Sequence, residues 1–271
     1  MLKFFRRIRQ RLLTESKFSN YFFYAIGEIL LVVIGILIAL SINNWNENKK
    51  KNETVKIYLT NYIEDLKDDE KRMARLEEHN MFRYHSLQYV LKISGELQYK
   101  SNDKSYIVLP LPSSPNFYDW EGAFPEEFNK NFIQITFEAS QAMVPFQLNQ
   151  STMSEMKSTG VFSYIDNHKL KDSINNYYKQ WNWRLGENQE QLVWGLIEKW
   201  EDALAKSGVT TSDPFETNGA LSFLNDDPAR LAILRRLIRE AGWIAYCASI
   251  VRKNAEDLKT IIEEEINSNE Y

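Results

Sequence analysis

The residue best placed to do unusual chemistry is an acid inside an apolar segment. Glu28 is the only charged residue among residues 21–42. A charged carboxylate near the centre of a bilayer costs about 2.5–3.5 kcal/mol, so an acid in a membrane span is a functional candidate. Around it, a face of mostly small residues repeats at intervals of four: Gly27, Leu31, Gly35 and Ala39.

Two interpretations of Glu28 follow from this pattern. Small residues let two membrane helices approach closely, and a protonated acid can then form a hydrogen bond across the contact. We favour this packing role, in which membrane helices associate into a homo-oligomer. The alternative is a carboxylate that couples proton or ion movement in a membrane complex.

Residue types that usually carry catalysis are sparse. His79 and His85 are six residues apart, whereas metal ligands on a helix are spaced by three or four. Cys247 is the only cysteine, so it forms no intrachain disulfide, and no histidine is near it in sequence to activate it. Glycine-rich phosphate loops and hydrolase or metalloprotease signatures do not occur. We therefore predict no catalytic, cofactor-binding or metal-binding residue, and we expect the protein not to be an enzyme.

Aromatic residues are concentrated between residues 177 and 200. Their helical spacing favours core packing or an oligomer contact. The alternative is a ligand pocket, which would make the domain a sensor that signals through a partner. The group consists of Tyr177, Tyr178, Trp181, Trp183, Trp194 and Trp200.

Residues 21–42 are long and apolar enough to cross a membrane. At 1.5 Å per residue, such a helix spans about 33 Å, which exceeds a hydrocarbon core of about 30 Å. Aromatic residues stand at its start and Trp45 follows its end, as in interfacial aromatic belts. A cleaved signal peptide is the alternative, but signal h-regions are only about 7–15 residues long. We predict an uncleaved signal anchor, with one transmembrane helix.

The flanking charges predict the orientation of this helix. Residues 1–20 contain six basic residues and one acid, whereas the whole chain has a net charge of −4. The positive-inside rule therefore places the N-terminus in the cytoplasm and residues 43–271 outside. The basic segment 1–20 also has apolar residues at helical spacing, which predicts an amphipathic segment on anionic headgroups. No nucleic-acid partner is predicted, because an anchor with this orientation needs a basic flank.

Residues 43–271 are predicted to form an all-α domain. Neither glycine nor proline occurs between residues 36 and 94, so the transmembrane helix is expected to continue into a long stalk helix that ends near Gly95. A last helix of similar length is expected from Pro228 to about residue 269, after a cap at Asp227. Two helices of similar length favour an antiparallel, coiled-coil-like pair within a helical bundle. The proline-rich residues 97–124 are predicted to be a long ordered loop.

Capping signals predict the helices between these two. Pro125 suits the first turn of a helix. Thr152 and Glu155 form a T-x-x-E capping pattern. Asn167 is expected to cap a further helix, which Gly186 bends or breaks.

Two stretches of the sequence resemble a known family. They are KFFRRIRQRLLTESKFSNYFFYAIGEILLVVIGILIALSINNWNE, residues 3–47, and STMSEMKSTGVFSYIDNHKLKDSINNYY, residues 151–178. Both resemble a bacterial family of uncharacterised single-pass membrane proteins, a domain of unknown function with an F-F-R-x-I-R-x-x-L-L opening and an A-I-G-E-I span. The resemblance implies the anchor, its topology and a helical outer domain, and Glu28 coincides with the acid of the G-E-I element. It implies no activity.

These features predict a single-pass protein of the bacterial inner (cytoplasmic) membrane with a periplasmic helical domain. We expect a non-enzymatic scaffold or interaction protein of the cell envelope. Its expected partners are the lipid bilayer, further copies of itself through the transmembrane and stalk helices, and other envelope proteins. Two alternatives stay open, namely a ligand-sensing outer domain and a subunit of an ion-coupled complex that uses Glu28.

Overall fold

The computed structural model describes residues 18–95, 110, 120 and 123–268, without the side chains of residues 18–21 and 24. Within these residues the chain forms helices and connecting segments and no strand, which confirms the all-α class. The basic segment before residue 18 and most of the proline-rich loop lie outside the described residues. The helices are α1 (Phe18–Ile93), α2 (Lys130–Gln141), α3 (Ser151–Ser158), α4 (His168–Leu185), α5 (Glu187–Ala205) and α6 (Pro228–Ser268), with 3-10 turns at Val161–Tyr164 and Asn218–Leu224.

The chain divides into two compact units, the first ending at Lys56 and the second beginning at Ile57. The first unit contains the apolar part of α1, in which the large side chains are exposed. Helix α1 is continuous from this part into the second unit and ends at Ile93, where Gly95 adopts a left-handed φ of +89°. The predicted continuation into a stalk helix that ends near Gly95 is therefore confirmed.

In the second unit, α6 runs antiparallel to α1. Lys259 Nζ lies 2.5 Å from Glu70 Oε1, and Arg252 Nη2 lies 3.0 Å from Glu77 Oε2. From the first ion pair to the second, the residue number rises by seven in α1 and falls by seven in α6. Seven residues are two helical turns, which is the repeat of a packed helix pair. The antiparallel pairing predicted from the similar lengths is confirmed.

Both long helices contribute an apolar seam to the core. Ten buried apolar residues of α6 recur at helical spacing, and four of them are alanines that allow close packing. Eight apolar residues of α1 at similar spacing are also buried, each with 2% or less of its surface exposed. The α1 positions are Val55, Leu59, Tyr62, Leu66, Met73, Leu76, Leu87 and Val90.

Two of the predicted helix starts are wrong. Helix α2 begins at Lys130 and not at Pro125, because the Asn129 side chain accepts a hydrogen bond from the Phe132 amide and caps the helix there. Helix α3 begins at Ser151, whose amide donates to Asn149 Oδ1 at 3.2 Å. Its Thr152 amide donates instead to Asp65 of α1 at 2.9 Å. A tertiary contact therefore replaces the predicted T-x-x-E cap.

The other local signals are confirmed. Asn167 Oδ1 accepts from the Leu170 amide at 3.2 Å and caps α4. Gly186 separates α4 from α5, and a Cβ atom built there would lie 2.4 Å from the Asn182 carbonyl oxygen, so only glycine fits. Asp227 caps the start of α6 through the Ala229 amide at 2.8 Å.

Aromatic residues from the end of the proline-rich loop pack on the helices. The Trp120 and Phe124 rings lie 4.8 and 4.9 Å from the Phe132 ring, and Phe124 also contacts Phe82 edge-on. This cluster joins the loop end to α1 and α2, as the aromatic content of the loop predicts. The remaining loop aromatics lie outside the described residues.

The fold predicts that two tryptophans of α5 differ strongly in how much they stabilise the protein. Trp200 is fully buried and donates to Ser140 Oγ at 2.9 Å, whereas Trp194 is 48% exposed. Trp200→Ala should lower the free energy of unfolding by about 3–5 kcal/mol, because it leaves a cavity and removes the hydrogen bond that Ser140 Oγ accepts. Trp194→Ala should change it by less than about 1 kcal/mol. Urea titration of the full chain in detergent, followed by circular dichroism, measures both, and equal losses would contradict the described packing.

Candidate functional site

The predicted packing or coupling face lies on the exposed part of α1. Leu31 is 73% exposed and Glu28 is partly exposed. A Cβ atom added to Gly27 or Gly35 would meet nothing within 4 Å. The described part of the chain therefore leaves this face, including Ala39, accessible to lipid or to another helix. Both roles of Glu28 stay predictions.

A buried acidic cluster on α1 is the most unusual site in the second unit. Asp69 is fully buried, and its two carboxylate oxygens accept from the Asn149 amide at 2.6 Å and from the Tyr177 hydroxyl at 2.9 Å. One turn earlier, Asp65 accepts a hydrogen bond from the Thr152 amide in the first turn of α3. The two acids thus join α1 to the segment before α3 and to α4.

Burial dominates the electrostatics of Asp69. It raises the pKa of this carboxyl from 3.8 to about 7, although the hydrogen bonds from Asn149 and Tyr177 oppose the shift. The neighbouring acids Asp65 and Asp68 raise the pKa further. No Lys or Arg nitrogen in the described part of the chain lies within ion-pair distance of Asp69. The group therefore changes its charge close to neutral pH.

Phenol groups surround the acids. Burial raises the pKa of the Tyr177 hydroxyl, and the Asp69 charge adds to the effect, so this group stays a hydrogen-bond donor. Tyr178 follows Tyr177 and stacks on Tyr62 with ring centroids 6.4 Å apart. The sequence marks Asp69 only as an interruption of the apolar seam. Nothing in the sequence indicates its partners, which are 80 and 108 residues away.

A second polar cluster lies further along α1 and is structural. Arg83 is 2% exposed and donates to the Ser140 carbonyl oxygen at 2.9 Å. Burial, followed by the charge of Arg83, lowers the pKa of His79 to about 3, so the ring is neutral and its Nε2–H points to the Ala142 carbonyl oxygen at 3.2 Å. Ser140 Oγ donates to the Phe137 carbonyl oxygen and accepts from Trp200. These groups are enclosed and paired, so they lack access to a substrate.

The aromatic group predicted between residues 177 and 200 does not form one pocket. Trp200 and Tyr177 belong to the core, in agreement with the favoured interpretation. Trp181 is half-buried and donates to the Phe146 carbonyl oxygen at 2.8 Å. Trp183 is 69% exposed and meets the Trp243 ring of α6 edge-on at 6.5 Å. The Arg184 guanidinium lies 4.7 Å from the centre of the Trp183 ring.

Two concavities lie beside α6. The first is an open groove of about 620 Å³ between α5 and α6, with Leu192, Ile233 and Arg236 among its lining residues. Arg236 is held there by Glu240 at 2.8 Å. The second is a cleft of about 190 Å³ between α4 and α6, whose lining includes Tyr177 and Asp257. No group of three His, Cys, Asp or Glu side chains in the described ranges is arranged to hold a metal ion.

The Asp69 site predicts a specific pH dependence. A carboxyl whose folded pKa is raised stabilises the fold fully below its unfolded pKa of 3.8, and this contribution is lost as pH rises through 7. Asp69→Asn should therefore gain stability relative to the wild type between pH 4 and pH 8, by up to about 4 kcal/mol. The asparagine amide keeps both contacts, because it can accept from Asn149 and donate to the Tyr177 oxygen.

The difference between the two proteins is the quantity to measure, by chemical unfolding at each pH. The pKa of His79 is shifted in the opposite direction, so this residue makes the fold lose stability as pH falls below 6.5. In the wild type this loss masks the pH dependence that comes from Asp69. The control is Glu64→Gln, which changes an exposed acid on the same helix. If the difference in unfolding free energy between Asp69→Asn and the wild type does not change with pH, Asp69 does not titrate near neutral pH.

The accessible glycine face predicts an effect on assembly. Gly35→Leu fits within the chain, so it should leave the helix intact and disrupt a homo-oligomer that packs through this face. Sedimentation in detergent measures the oligomeric state. Val33→Phe adds bulk on the opposite side of the helix and should have little effect. Glu28→Gln retains a hydrogen-bonding side chain and should preserve the assembly. An unchanged mass for Gly35→Leu would refute packing through this face.

Comparison with known proteins gives a partial likeness. A family model matches residues 28–97, and its family is the family of unknown function DUF6090. The match begins at Glu28 and includes Asp65, Asp69 and Arg83 of α1, but it does not reach the second stretch, 151–178, that resembles an uncharacterised family. No curated protein and no solved structure matches the chain. Over most of α1, the chain is thus similar to a family of unknown function, and this likeness carries no activity with it.

Proposed function

We propose that the protein is a single-pass, membrane-anchored and non-enzymatic scaffold or interaction protein of the cell envelope. In this proposal residues 21–42 cross the bacterial inner membrane and residues 1–20 lie in the cytoplasm. The second unit then lies in the periplasm, where it contacts further copies of the chain or other envelope proteins.

The observation that carries the proposal is the uncovered apolar surface of α1. Fourteen large apolar side chains between Phe22 and Ile42 are 38–73% exposed, and no described part of the chain covers them. At 1.5 kcal/mol or more for each such side chain, removing this surface from water is worth on the order of 20 kcal/mol. A bilayer removes it without any further protein.

An interaction role is supported by the surface of the second unit. Trp183, Arg184 and Trp243 form an aromatic and cationic patch at the end of α4 and the middle of α6, in which Trp183 is 69% exposed and the other two are partly exposed. Tyr246 extends the patch, since its ring lies 6.0 Å from that of Trp243. Tryptophan, tyrosine and arginine are the residue types enriched at the energetic centres of protein interfaces. The patch is therefore the surface through which we expect a protein partner to bind.

A second candidate function is ligand sensing. The cleft between α4 and α6 favours it, because concave sites with convergent polar groups are the usual places for small ligands. The third candidate, an ion-coupled subunit, depends on Glu28 alone and gains no support from the second unit.

Orientation is tested with single cysteines and a membrane-impermeant maleimide. Cys247 is fully buried and therefore gives little background labelling. Asn175→Cys, on the exposed surface of α4, should be labelled in cells whose outer membrane alone is permeable. Ser16→Cys should be labelled only after lysis, because residues 1–20 face the cytoplasm in the proposed topology.

Anchoring is tested by alkaline extraction of membranes from the same bacterial cells. The double variant Leu31→Lys and Ile34→Lys places two charges in the span, which costs about 5–7 kcal/mol, and should lower the membrane-bound fraction. Ile57→Lys makes the same change at an exposed residue beyond the span and serves as the control. Labelling of Ser16→Cys in intact spheroplasts, or extraction of the unmodified chain, would refute the proposal.

A further inference from the structure

Polar side chains from two helices line the cleft between α4 and α6. Helix α4 contributes Ser173 and Asn176, whose Oδ1 accepts from Gln180, and α6 contributes Asn254 and Asp257. In the part of the chain that the structure describes, the side chains of Ser173, Asn254 and Asp257 form no hydrogen bond or ion pair with another residue. Two helices thus direct hydrogen-bonding groups into one concavity, and these groups remain available to a ligand.

The charge of the cleft selects the class of ligand. Asp257 is the only charged residue that lines it, and no Lys or Arg side chain does. Lys259, two residues after Asp257 in α6, is held by Glu70 at 2.5 Å. Beneath the floor, Tyr177 donates its hydroxyl to Asp69, which adds a second negative charge when that acid is ionised. The cleft therefore favours a cation and disfavours an anion.

The remaining lining fits the apolar part of an organic cation. Tyr177 and Leu258 form the floor, and Ile261, 39% exposed, forms part of the wall. Only 2% of Tyr177 and 3% of Leu258 is exposed, so the apolar contact comes mainly from Ile261, which can remove methyl or methylene groups of a ligand from water. The volume of about 190 Å³ corresponds to on the order of six water molecules, which suits a small molecule and not a peptide.

We propose that this cleft binds a small organic ammonium ion, with Asp257 as its charge partner and with Ser173 and Asn254 as hydrogen-bonding groups. The inference rests on the second candidate function, in which the periplasmic domain senses a ligand. It gives that function a site and a ligand class.

The test uses the full chain in detergent with choline chloride and ethylammonium chloride as probes. Saturation-transfer NMR and equilibrium dialysis report binding, and 3,3-dimethylbutan-1-ol serves as the uncharged isostere of choline. We expect at least one ammonium probe to bind and the neutral isostere to bind at least tenfold more weakly, because a charge-assisted contact is worth about 1.5–3 kcal/mol.

Two variants of neighbouring acids locate the site. Asp257→Asn removes the charge from the cleft and should weaken binding of the ammonium probe at least tenfold, whereas Glu256→Gln changes an exposed acid outside the cleft and should have little effect. Both residues are exposed, so both variants should fold, and circular dichroism verifies this. The inference is overturned if neither ammonium probe binds, if the neutral isostere binds equally well, or if the two variants lose binding alike. Such a result does not contradict the proposal of an anchored scaffold, because extraction and cysteine labelling test the anchor independently of any ligand.

Discussion

The packing of the second unit depends on the hydrogen bonds that one buried carboxyl group, that of Asp69, receives from distant parts of the chain. Asp69 lies at a position of α1 that the apolar repeat would fill with a hydrophobic residue, and it is fully buried there. Burying an acid costs free energy unless hydrogen bonds replace its water. The Asn149 amide and the Tyr177 hydroxyl provide these bonds, so the segment before α3 and helix α4 must both dock where Asp69 lies. With Asp65 holding the start of α3, α1 organises much of the unit through polar contacts within an apolar seam.

This arrangement connects the interior to the surface. Tyr177 donates its hydroxyl to Asp69 and lines the cleft between α4 and α6, so one side chain contacts both the buried acid and the proposed ligand site. Protonation of Asp69 removes the negative charge that strengthens the hydrogen bond from Tyr177. The second unit therefore connects Asp69 to the proposed ligand site through one side chain.

Sequence patterns predicted the long elements well because those elements depend on repetition. The apolar seams of α1 and α6 each consist of many residues that are buried in the same way. A 3.6-residue period reveals such a seam even when the residues that cover it are unknown. Local caps were predicted where the capping side chain and the capped amide are close in sequence, as at Asn167 and Asp227. Helix α3 differs, because the amide of its second residue, Thr152, binds Asp65, which is 87 residues away. No local pattern contains that information.

The sequence by itself therefore determined the apolar segment around Glu28, the all-α class, and the two long helices with their buried faces. These properties follow from composition and period, which are local. Only the tertiary structure decided that Asp69 is satisfied by Asn149 and Tyr177, that the tryptophans are divided between core and surface, and that α4 and α6 enclose a polar cleft with Asp257. Each of these depends on which residues from distant parts of the chain meet. That is determined by the packing of helices, since a burial pattern shows that a face is covered but not what covers it.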